Sequence, residues 1–155
     1  MKDSAENSWA RMAKADQAFE NALRAFLNAD KETRITILRN GLNSARQLTL
    51  RVLEWVPVEE RKELLPDLLY LARAVHGYLW QVRRLILSFP KDWLLEHIEA
   101  AAEPILESGD LEYREFLQLY NEIDSQLARR LAERAIRSDD PEIRQTGEEF
   151  MEAMA

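Results

Sequence analysis

"SDDPEIRQTGEEF", residues 138–150, is the stretch whose reading decides the fold. An acidic pair runs into Pro141, then Ile143, Arg144 and a polar tail with apolar residues at helical spacing. Asp140 suits an N-cap, because a carboxylate accepts from the orphan N–H groups of a first helical turn. Pro141 suits the first helical position, where no N–H is needed. The pattern predicts a helix to about Ala153, preceded by a helix over 126–137 that Asp124 or Ser125 opens. Two helices joined by a short, strictly specified crossing therefore end the chain.

The same texture extends outward. The 155 residues include only four glycines and five prolines, which suits long helices better than many short strands. Residues 4–28 place Trp9, Met12, Phe19, Leu23 and Phe26 on an amphipathic stripe interrupted by Asp16. Asp30 caps a short helix that Gly41 stops, and Asn43 or Ser44 opens another with Ala45, Leu48, Val52, Leu53 and Val56 on one face. Residues 59–76 read as one helix kinked by Pro66. Gly77 breaks the chain before 79–89, where Leu79, Val82, Leu85, Ile86 and Phe89 point inward. Asp92 begins 93–107, and Gly109 separates it from 111–122. No Asn-Gly or Asp-Gly turn joins alternating runs, so the class is all-α.

The helices recur in pairs. An apolar or small residue followed by arginine opens the second helix of each pair: Ala45-Arg46, Val82-Arg83, Tyr113-Arg114 and Ile143-Arg144, spaced 37, 31 and 30 residues apart. A pair of this size cannot bury its own apolar face, so stacking on neighbours would stabilise it. "ESGDLEYREFLQL" and "SDDPEIRQTGEEF" look like the acidic turn, branched residue and arginine of HEAT and armadillo-like repeats, and "LLPDLLYLAR" looks like a first helix with its internal proline. The chain thus resembles the HEAT/armadillo-like helical-repeat family. That resemblance implies a single domain, a right-handed α-solenoid of about four pairs over 31–56, 58–89, 91–122 and 124–154, with 4–28 as an N-terminal capping helix. It also implies that Arg46, Arg83, Arg114 and Arg144 pair with acids of adjacent repeats, and that the last, acidic helix keeps an open end soluble.

Composition narrows function. Without cysteine there are no disulfides, thiol nucleophiles or thiolate metal sites. No apolar run approaches the ~20 residues that span a bilayer. The acid-containing N-terminus is no signal peptide, so a cytoplasmic protein without a membrane partner is expected. Net charge is −7, which disfavours nucleic acid. The excess is terminal: from Ser138 on, Asp139, Asp140, Glu142, Glu148, Glu149 and Glu152 face only Arg144, whereas the other 137 residues hold 22 acids and 20 bases. Arg129, Arg130, Arg134 and Arg137 alternate with acids rather than forming a basic clamp.

Catalytic chemistry has little to build on. His76 precedes Gly77 where a helix is expected to end, and His97 lies among Glu96, Glu99 and Glu103 on one helix. One histidine with exposed glutamates is more often a solvated face than a metal site. No glycine cluster precedes a helix, and no serine sits in an elbow. The expectation is a non-enzyme without metal or cofactor.

Trp80 is the informative aromatic. With the core face of 79–89 assigned, Trp80, Arg84 and Leu87 share another face, the composition of an interaction hot spot. If the second helices line a concave surface, Trp80, Arg84 and Ser88 stand beside Glu115, Gln118 and Glu122, then Gln145 and Glu149. Such a groove suits a basic or amphipathic helical segment of a protein partner. A scaffold or adaptor is the expected function. The other reading is an inhibitor or immunity-type protein that blocks a basic partner through its acidic end. Oligomeric state is not readable.

Overall fold

A computed structural model describes residues 2–155, with side chains from Ser4 onward. Among those residues all regular structure is helical, and no helix is long and apolar enough to cross a membrane. They fall into two compact units, one ending at Val56 and the other running from Pro57 to Ala155.

The first unit holds α1 (Lys2–Leu27), α2 (Lys31–Ser44) and α3 (Arg46–Leu53). Asp30 caps α2 by accepting from the Thr33 N–H at 2.9 Å. Arg34 fastens the preceding turn: it is buried, and its Nη1 donates to the Leu27 carbonyl at 2.8 Å and to that of Ala29. These are carbonyls that the end of α1 leaves without helical partners.

Gly41 was expected to stop α2 but does not. The helix runs through it to Ser44 and breaks at Ala45, whose φ of −143° and ψ of 53° leave the helical region. Gly41 serves close packing instead, since a Cβ there would collide with Thr49 Oγ1 on α3. Leu23, Ile35, Leu38, Leu42, Leu50, Leu53 and Val56 form the core of this unit. Trp9, Met12 and Leu48, expected on inward stripes, are instead exposed at 71%, 58% and 53%. The periodicity was right, but a stripe is buried only where an element faces it.

The second unit holds α4 (Val58–Arg61), a 3₁₀ turn (Lys62–Leu64), α5 (Leu65–Ala72), α6 (Leu79–Leu87), α7 (Lys91–Ser108), α8 (Tyr113–Ile123), α9 (Ser125–Ile136) and α10 (Pro141–Met154). The single kinked helix expected over 59–76 is therefore broken. Pro66 has no N–H to donate, and its ring would meet the carbonyl four residues back. The chain answers by tightening 62–64 and restarting, with Pro66 in the first turn of α5. α5 ends at Ala72, so His76 lies in the following loop: its Nε2 is 2.8 Å from the Leu71 carbonyl, and its Nδ1 accepts from the Tyr78 N–H. With Nδ1 accepting, the ring hydrogen sits on Nε2, facing the Leu71 carbonyl.

Asp92, expected to begin the next helix, lies inside the first turn of α7, which starts at Lys91 behind Pro90 with no side-chain cap; other later boundaries follow their caps. Asp124 accepts from the N–H groups of Gln126 and Leu127 to open α9, and Asp140 from those of Glu142 and Ile143 to open α10. Gly109 closes α7 at φ +70°, a left-handed position that glycine alone occupies without strain. Gly147 is buried against α9, where a Cβ would stand 2.8 Å from both the Ala132 carbonyl oxygen and Ala135 Cβ.

α5 packs on α6 and α7, α8 on α6, α9 and α10, and α9 on α10. The core between them includes Leu68, Leu69, Val82, Ile86, Leu94, Ile98, Phe116, Leu117, Tyr120 and Leu127, all at most 2% exposed. Two arginine forks tie α7 to α9. Arg130 holds Glu99 at 2.9 and 3.1 Å, and Arg134 holds Glu103 at 2.7 and 2.8 Å. Such bidentate pairs add orientation as well as attraction.

Candidate interaction surface

α6 divides its side chains as its spacing requires. Val82, Leu85, Ile86 and Phe89 are buried, Leu79 is half-buried, and Trp80 and Leu87 are left outside. Trp80 is 59% exposed with the Arg84 guanidinium 5.0 Å from its ring centroid, and Leu87 is 37% exposed. A cation at an exposed ring face is attracted by about 0.5–1 kcal/mol. A solvent-facing Trp–Arg–Leu stripe results.

The neighbouring polar residues are organised by arginines. Arg83 donates through Nη2 to the Glu115 carbonyl at 2.8 Å and to its carboxylate at 2.9 Å, while Nη1 stands 3.7 Å from Glu122. Glu115 and Glu122 on α8 thus both turn toward α6. Ser88 is tied down as well: its hydroxyl donates to the Leu85 carbonyl at 2.6 Å and accepts from Arg61 at 3.2 Å. Burial lowers the proton affinity of the Arg61 guanidinium, which lies 5.9 Å from the Phe89 ring centroid.

Farther along, Arg114 on α8 pairs with Glu149 on α10 at 2.9 Å, and Gln145 donates to the same carboxylate at 2.9 Å. Beside them a cleft of about 230 Å³ opens between α8 and α10, lined by Leu117, Gln118, Thr146, Glu149, Phe150 and Ala153 as well as Arg114. Gln118 and Glu149 were expected at this surface. Thr146 and Phe150 were not, although they are four residues apart and share a face of α10. Arg83 and Arg114 reach carboxylates on the next even-numbered helix, but the other two motif arginines do not. Arg144 closes its own turn on the Ser138 and Asp139 carbonyls at 2.7 and 3.1 Å, and Arg46 donates to the Leu42 carbonyl at 3.2 Å. Both settle instead on main-chain carbonyls close by in the chain, near helix ends where such oxygens lack helical partners.

The glutamates around His97 are occupied differently from a free carboxylate cluster. The hydrogen bond from Arg134 holds the Glu103 carboxyl below its ordinary range, and the guanidinium of Arg134 is shifted up in return. A carboxylate held ionised this way is a poor proton donor. His97 is stacked on Trp93 at 4.5 Å, with its Nδ1 2.7 Å from the Trp93 carbonyl oxygen. Beneath the forks, burial pushes the phenols of Tyr113 and Tyr120 up. Among the described residues no group of three or more His, Asp or Glu side chains is placed to hold a metal ion. Comparison with known proteins gave no matching family model, no matching curated sequence and no matching solved structure.

Proposed function

We propose that the chain is a non-catalytic protein-binding module, and that a partner segment lies across α6, α8 and α10. In this reading α5–α6, α7–α8 and α9–α10 are successive HEAT-like pairs of a right-handed stack. Support comes from the pairing of like with like: α5 touches α7, α6 touches α8, and α8 touches α10. The observation that carries the binding assignment is the solvent-facing Trp80–Arg84–Leu87 stripe, on a helix whose opposite face is core. Exposed tryptophan beside arginine is the composition that dominates binding energies at interfaces. The α8–α10 cleft supplies a second anchor point, with Phe150 for an apolar side chain and Glu149 for a basic one. An amphipathic segment with basic residues on its polar side is the ligand that fits both.

The test is affinity capture with the wild type beside a Trp80→Ala, Arg84→Glu variant, followed by calorimetric titration of the captured protein. Both substituted residues are exposed, so the variant should keep the wild-type circular dichroism spectrum. We expect its affinity to fall at least about a hundredfold, in line with the loss of a hot-spot residue. Equal affinity for both proteins refutes the assignment. The acidic C-terminal helix favours a second reading, an inhibitor that blocks a basic partner. In that case the variant binds normally, and the association rate falls steeply with salt.

A further inference from the structure

The first half of α1 carries no core. Every residue from Ser4 to Ala18 is exposed, and the first buried side chain of the helix is Leu23. A helix of that length is marginal in water without tertiary contacts. Yet this half is not polar all round: Trp9 at 71% exposure and Met12 at 58% begin the stripe that Phe19, Leu23 and Phe26 continue. Where the stripe continues, the same unit opens an apolar groove of about 560 Å³, lined by Phe19, Leu23 and Phe26 of α1 with Ile37, Leu48 and Val52. Ile37 and Leu48, at its edges, are each about half exposed. One helix thus carries an apolar projection and, farther along the same stripe, an apolar recess.

We propose that a second copy of this chain occupies the groove, with the two α1 helices antiparallel about a two-fold axis and Trp9 and Met12 of each entering the recess of the other. A two-fold interface needs a surface complementary to itself, and α1 holds both complementary parts. Laying Trp9 over Ala22 and Leu23 of the other copy sets Met12 over Phe19 and puts the axis beside Asp16. Charge agrees with this register. Glu6 and Arg24 are five helical turns apart and so lie on the same flank, which brings Glu6 of each copy beside Arg24 of the other, whose guanidinium is shared with Glu20 of its own helix at 3.9 Å. Asp16 meets its own image at the axis, but each Asp16 already has Arg51 at 3.8 Å, so neutral pairs meet rather than bare carboxylates. A helix of 26 residues is about 39 Å long. With the groove edges, that contact is on the scale of the roughly 800 Å² per partner that standard interfaces bury.

Sedimentation equilibrium on the full chain tests this. The wild type should approach twice the 18.1 kDa chain mass as concentration rises. Trp9→Glu with Met12→Glu should stay at the monomer mass and lose no more helical circular dichroism than fraying of the first half of α1 accounts for, because both side chains are exposed. Glu6→Arg alone should weaken dimerisation about tenfold or more, and adding Arg24→Glu should restore it. A wild type that is monomeric at every concentration overturns the proposal. So does a dimer that survives the Trp9 and Met12 substitutions, which places the contact elsewhere. A charge exchange that fails to restore the dimer overturns the antiparallel register.

Discussion

Gly147 shows how much one missing methyl group decides. In a helix interior glycine costs about 1 kcal/mol relative to alanine, so a sequence tolerates it only for a reason. The reason is α9: the Ala132 carbonyl and Ala135 Cβ occupy the space that a side chain would need. Gly147→Leu should destabilise the fold by about 1–3 kcal/mol, the usual range for overpacking, as read by urea denaturation. Gly109→Ala should cost about 1–2 kcal/mol for a different reason, because its backbone is left-handed and nothing crowds it. The two glycines separate what a sequence shows from what it hides. Gly109 stood between two helical patterns and was legible as a stop. Gly147 was not singled out in the sequence, because its function depends on which residues of another helix come to face it.

Elements were legible where local chemistry decides them. Asp30 and Asp140 cap the helices that the sequence assigned to them, and Asp124 proves to be the cap where the sequence offered Asp124 or Ser125, because a cap needs only its own next few residues. Asp140→Ala should cost about 1 kcal/mol, measurable as a lowered melting temperature with α10 fraying first in hydrogen exchange. Pro66 was misread because a proline inside an apolar pattern either kinks a helix or restarts one, and packing makes the choice. The α7–α9 forks add a pH dependence. Glu103 and Asp124 are both held below the ordinary carboxylate range, Glu103 by Arg134 and Asp124 by Lys91 and the α9 N–H groups. Their contribution is fully present above the unfolded carboxylate value, about 4, and is lost as pH falls through the lower folded values. Acid titration followed by circular dichroism should show that loss below about pH 4, and Glu103→Gln should make its onset shallower. Both carboxylates are largely exposed, so the effect is small.

At the scale of the molecule, helical class was readable from periodicity and from the absence of strand turns. The division after Val56 was not, because Pro57 marks a helix end equally well inside a continuous stack. Residues 57–155 have their own core of leucine, isoleucine and aromatic side chains. That segment alone should therefore be helical and melt cooperatively by circular dichroism; a non-cooperative melt would mean that its core is incomplete. Of the expected surface, the Trp80 stripe was visible in the sequence, since a leftover aromatic on an assigned helix needs no knowledge of other helices. Glu115 and Glu122 could be named from helix periodicity, but their engagement by Arg83 depends on the approach of α6 to α8.

The forks between α7 and α9 have one more property: they have a direction. α7 offers two glutamates and α9 answers with two arginines, and neither helix can stand in for the other. Reversing the charges on one helix alone would set arginine against arginine or carboxylate against carboxylate, whereas exchanging all four residues together would keep two attractive pairs. The joint is therefore a matched set, and whoever re-engineers one member has to rewrite its opposite number as well.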